Sequence, residues 1–194
     1  MATPTLEDSV KQQLDPATVD QMARQLGVSD AKVQQAIGVG LPLLLAALAK
    51  NSSSSDGARS LSDALSRDHD GSVLAHKQDA VANYQQLGGG IVGHVLGSQQ
   101  APVESAITRQ TGVDAGALLQ MLAPIAMGVL GQAQRQQRLD PGDLAGALQT
   151  NQQQMQQQNG SLLSTINSML DSNKDGSAID EVAGMLGSFL NSRR

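Results

Sequence analysis

The segment DSNKDGSAIDEV (171–182) carries the residues best spaced for chemistry. Asp171, Asn173, Asp175 and Gly176 follow the D-x-N-x-D-G opening of an EF-hand loop. In such a loop alternate oxygen ligands converge on one Ca²⁺, and the glycine permits the sharp bend. The exit departs from that pattern. Position twelve, where a bidentate Glu belongs, is Val182, with Glu181 one residue early. A shortened loop would use Glu181 or Asp180, with fewer ligands and lower affinity. The competing reading is an Asp/Asn-rich turn, followed by a helix capped by Ser177 with Asp180 reaching back. An equivalent turn nearer the N-terminus offers Ser66, Asp68 and Asp70, a weaker metal candidate because Lys77 stands at its twelfth position.

A second constellation is QMARQLGVSDAKVQQAI (21–37), which has helix-turn-helix spacing. Small Ala23 lets two helices approach, Gly27 suits a positive-φ turn, and Val33 would pack the corner. Ser29, Lys32, Gln34 and Gln35 would then be exposed, and glutamine can read adenine in the major groove. Two observations favour plain architecture over DNA reading. Asp30 puts a negative charge at the end that would enter the groove, and a second copy of the corner keeps Gly112 and Val113 but offers only Asp114, Ala115, Gly116 and Ala117. The three histidines, His69, His76 and His94, follow neither a zinc nor a nucleophile spacing. His69 is expected as an exposed turn residue and His94 on a helix rich in small residues.

Composition narrows the classes further. No cysteine is present, which removes disulfides, thiol catalysis and Cys-ligated zinc. The net charge is −5, with 13 scattered Lys and Arg, whereas nucleic-acid binders gather a basic face. No phosphate loop follows a strand, and no enzyme chemistry is legible. The start, MATPTLEDSVKQQL, has neither the basic head nor the apolar run of a secretory signal. The longest apolar run, Leu41 to Ala49, falls short of the roughly 20 residues a membrane span needs. A cytoplasmic protein without a membrane span is expected, with leaderless export left open.

The elements that must position these residues are helical. One Phe, one Tyr and no Trp leave the core to Leu, Ala, Val, Ile and seven Met, which favours helices packed along Ala and Gly seams. Most of the 20 glycines are read as helix stops. Asp15-Pro16 opens a helix that ends at Gly27, and Ser29 caps a long apolar helix with a kink expected at Pro42. The polar run NSSSSDG (51–57) reads as a loop, Leu61 to Leu65 as a short helix, and the Gln-rich run 149–158 as a helix or linker.

The plan then repeats. RQLGV (24–28) is echoed by RQTGV (109–113), Pro42 by Pro124, and Leu48 by Leu130. LSDAL (61–65) matches LAGAL (144–148), DHDGS (68–72) matches NKDGS (173–177), and IVGHVLGS (91–98) matches VAGMLGS (182–188). A tandem duplication follows: a flexible N-terminus over 1–14, a first helical repeat over 15–98 and a second over 99–191.

The helix LPLLLAALAKN, the stretches DGARSLSDALSRDHDGSVL and GGGIVGHVLGS, and the later LAPIAMGVLG together resemble the YidB-like family, bacterial proteins of unknown function. The resemblance runs from about residue 17 to 190. It implies an all-α, multi-helical fold with a homeodomain-like corner, and it implies no activity. The expected function is a non-enzymatic helical module that binds a protein partner or itself. Its rivals are calcium binding through 171–182 and DNA binding through 21–37.

Overall fold

A computed structural model of the chain describes residues 5–158. Among these residues nine α-helices follow one another without a strand: α1 (Leu6–Gln13), α2 (Pro16–Leu26), α3 (Asp30–Asn51), α4 (Ser55–Asp68), α5 (Lys77–Ala82), α6 (Tyr84–Leu96), α7 (Gln100–Thr111), α8 (Ala115–Gln137) and α9 (Pro141–Gln158). Short 3₁₀ stretches at Ser72–His76 and Gly97–Gln99 join α4 to α5 and α6 to α7.

The helix ends follow local chemistry. Asp15 accepts from the Thr18 backbone N–H ahead of Pro16, and Gly27 closes α2 at φ +66°, with its N–H donating to the Ala23 carbonyl. Gly112 closes α7 in the same way at φ +71°, and Asp114 caps α8 by accepting from the Ala117 N–H. Ser29 occupies the cap position of α3 but makes no side-chain capping bond.

α3 and α8 form the centre. Each runs unbroken through its proline, and from Leu41 to Ala49 and from Met121 to Gly131 every residue is buried. By length and composition both could cross a bilayer, so the short Leu41–Ala49 run alone does not exclude a span. Their apolar windows are 72% and 78% buried inside the fold, where the other helices cover them. α4 packs on α8 while α9 packs on α3, and α2 touches α8 while α7 touches α3. One hydrophobic core runs from Val10 to Met155.

Three expectations change. Where a flexible N-terminus is expected, Leu6–Gln13 are helical, because Thr5 and Asp8 form a reciprocal capping box and Val10 is completely buried. The NSSSSDG loop is shorter than expected, since Ser54 accepts from the Gly57 N–H at 3.1 Å and starts α4 there. The Gln-rich run takes the helical of its two expected forms and continues α9 through Gln158. The glycines change most. Among the described glycines only Gly27, Gly71, Gly97 and Gly112 have positive φ. Most others lie within helices, and several mark close approaches. A Cβ on Gly88 of α6 would stand 1.8 Å from the Gln120 carbonyl oxygen of α8, and one on Gly131 of α8 would stand 1.8 Å from the His69 carbonyl oxygen.

Candidate functional site

α4 and α6 both pack on α8 and leave between them a cleft of about 790 Å³. The stripe Ala58, Ser62 and Leu65 of α4 faces the core, and Leu61 and Ala64, half-buried beside it, form one wall. Ile91 and Val95 of α6 form the other wall, with Leu48 of α3 and Met127 of α8 also lining it. Polar and ionisable groups accompany this apolar surface: Ser60, Asp63 and Arg67 from α4, His69 after it, and His94 from α6. The volume lies in the range of ligand pockets, about 300–1,000 Å³.

Both walls are anchored separately. The Asn51 amide at the end of α3 donates to the Val95 carbonyl at 2.8 Å, which holds the C-terminal half of α6. The buried Gln134 amide of α8 donates to the Ser62 hydroxyl at 2.6 Å, while its own Oε1 is buried without a partner. Below them Gly71, at φ +94°, turns the chain where Gly128 and Gln132 of α8 lie close.

His69 is not the exposed turn residue expected. It is half-buried beside the cleft, and burial holds its pKa below the ordinary imidazole value, partly opposed by the Asp68 carboxylate. His94 is exposed on α6. Of the weaker metal candidates, Ser66 and Asp68 are exposed near the end of α4 and Asp70 is exposed just beyond it. Its carboxylate accepts from the Ser72 N–H at 3.0 Å and from Arg135 at 3.1 Å, which keeps its pKa below the usual carboxylate range. Lys77, at the twelfth position of that turn, pairs with Asp15 at 3.0 Å. Among the described residues no three His, Asp or Glu side chains gather as a metal site. Asp171, Asn173, Asp175 and Glu181 lie outside the described residues.

At the 21–37 corner Ala23 and Val33 are buried, and Ser29, Asp30, Lys32, Gln34 and Gln35 are exposed around the first turns of α3. Lys32 is the single cation among those five. On α2 the exposed Arg24 is occupied by Asp20 in an ion pair.

Sequence reasoning missed the cleft. Its α4 wall follows from a periodic signal, Gly57, Ser60, Leu61, Ala64 and Arg67 on one helical face, but nothing local says that α6 stands opposite. Two long apolar helices wrapped by shorter ones around an open cleft define an all-helical class of protein. The chain belongs to the DUF937 family, bacterial proteins of unknown function, whose family model matches residues 8–133. No curated protein and no solved structure matches it.

Proposed function

We propose that this protein is a non-enzymatic helical interaction module, built by tandem duplication, that takes the apolar side of a partner helix into the cleft between α4 and α6. The observation that carries this reading is the cleft itself: an open apolar surface of Leu61, Ala64, Ile91 and Val95 beside Asp63 and Arg67, which suits a helix with one apolar face. The partner is another protein or a second copy of this chain. The duplication is supported by the reciprocal packing of α4 on α8 and α9 on α3, and by the paired caps Gly27 and Gly112.

The test is site-specific photo-crosslinking in the native host, with the probe at Ser60 in the cleft or at Lys32 on the far corner. A discrete adduct from Ser60 that disappears in Ile91→Asp, with the fold intact by circular dichroism, supports the reading. Equal adducts from both probes, or an adduct indifferent to Ile91→Asp, refute it.

A further inference from the structure

Asp63 and Arg67 stand one turn apart on the α4 rim of the cleft, in the order in which acid and base ordinarily pair along a helix. Among the described residues neither carries an ion pair. The two walls share one end: α4 starts and α6 finishes at Asn51, whose carbonyl lies against Gly57 and whose amide holds the Val95 carbonyl. Away from that end α6 carries Leu87, the one exposed large hydrophobic side chain among the described residues. Leu87, Ile91 and His94 recur at helical spacing on one face of α6, and Ile91 and His94 line the cleft. Beside them Gly90 is exposed, and a Cβ there would meet nothing within 4 Å. Leu87 therefore continues the apolar lining out of the cleft, with open space at Gly90 next to it.

The formal charges of the lining are one carboxylate and one guanidinium. An acidic partner helix would set its charge against Asp63, and a basic one against Arg67. A surface with the same two charges in reversed order, and an apolar anchor beside them, satisfies the whole face. A second copy of this chain, turned about a two-fold axis, is such a surface. We infer that two copies meet cleft to cleft, with α4 antiparallel to its mate, Asp63 of each against Arg67 of the other, and Leu87 of each seated beside Gly90 and Ile91 of the other. The net charge of −5 opposes self-association over most of the surface, so a face whose charges cancel is where two copies meet with least repulsion. The inference rests on the cleft reading and names its partner.

The test uses the full chain, and Asp63, Arg67 and Leu87 are all exposed, so changing them leaves the core alone. Sedimentation velocity is expected to find the parent at twice the monomer mass. Asp63→Arg and Arg67→Asp should each be monomeric, because either reversal sets like charges together at both symmetry-related contacts. Mixing these two variants, one of them tagged, restores a one-to-one heterodimer, and the double variant Asp63→Arg with Arg67→Asp restores a homodimer. Leu87→Ser weakens association by about tenfold or more at unchanged helical content. A parent that stays monomeric at millimolar concentration, a dimer indifferent to the reversals, or variants that fail to pair on mixing overturns the inference. A monomeric parent whose Ser60 probe still captures another protein, in an adduct lost in Ile91→Asp, overturns the second copy and leaves the cleft reading standing. Ser60 adducts indifferent to Ile91→Asp bring both down.

Discussion

Gly88 and Gly90 sit two residues apart in α6, yet alanine should act on them with opposite sign. At Gly90 a Cβ meets nothing within 4 Å, and the residue is exposed in the helix. Gly90→Ala then gains what alanine gains over glycine in a helix, about 0.5–1 kcal/mol, by restricting the unfolded chain. Gly88→Ala makes the same local gain but forces a methyl to within 1.8 Å of the Gln120 carbonyl oxygen and 2.7 Å of its Cα. That obstacle is backbone, so no rotamer change relieves it, and α6 must lift from α8 by more than an ångström. Overpacking of this kind costs about 1–3 kcal/mol and exceeds the helical gain. At about 2–4 °C per kcal/mol for a chain of this size, Gly88→Ala should melt several degrees lower and Gly90→Ala up to a few degrees higher. Thermal and urea unfolding followed by circular dichroism at 222 nm would read both. A Gly88→Ala variant as stable as the parent would refute the close approach of α6 to α8.

Ser62→Ala leaves the buried Gln134 amide without its acceptor and should cost about 1–3 kcal/mol, whereas adding Gln134→Met removes both unsatisfied groups and should recover most of it in urea midpoints. Asp15 is held down to about pKa 2, chiefly by the Thr18 backbone N–H, then by Lys77 and the Thr18 hydroxyl. Its stabilisation is therefore complete above the unfolded value of about 3.9 and lost as pH falls towards 2, so Asp15→Asn should flatten the acid limb of a stability–pH curve there. A limb equally steep in the variant would show that Asp15 does not drive it. His69 runs in the same direction for a different reason. Burial disfavours its cation, so stability should decline as pH falls below about 6.5, and His69→Gln should lessen that decline in melts between pH 7 and 5.

Local signals in the sequence placed what local chemistry decides. Asp15-Pro16, Gly27 and Gly112 mark helix ends because a cap bond or a left-handed turn is made within a few residues. The apolar periods of α3 and α8 were legible for the same reason. α1 escaped because its signal is a single buried residue, Val10, behind the Thr5 and Asp8 box. The glycines were misjudged for a deeper cause. A glycine that stops a helix and one that admits a neighbouring backbone look the same along the chain, and only the partner tells them apart. For Gly131 the partner is the His69 carbonyl, and for Gly88 the Gln120 carbonyl, both far off in sequence.

The cleft follows from those same contacts. A chain with almost no aromatic side chains fills its core by bringing helices close, and glycine is what lets backbones meet. Gly88 seats α6 on α8, and Asn51 ties its other half to the end of α3. α4 is fixed to α8 through Ser62 and Gln134, and the chain just beyond it through His69 and Gly131. Each wall is bound to the central pair. The apolar side chains facing the gap are Leu61, Ala64, Ile91 and Val95, while the larger Arg67 and His94 that also line it are exposed to solvent. Closing the cleft would require one wall to leave its seat on α8, giving up backbone contacts for a few aliphatic ones. The opening is therefore a consequence of how the core is packed, and a bulky residue at Ala64 should narrow the cleft while leaving the fold in place.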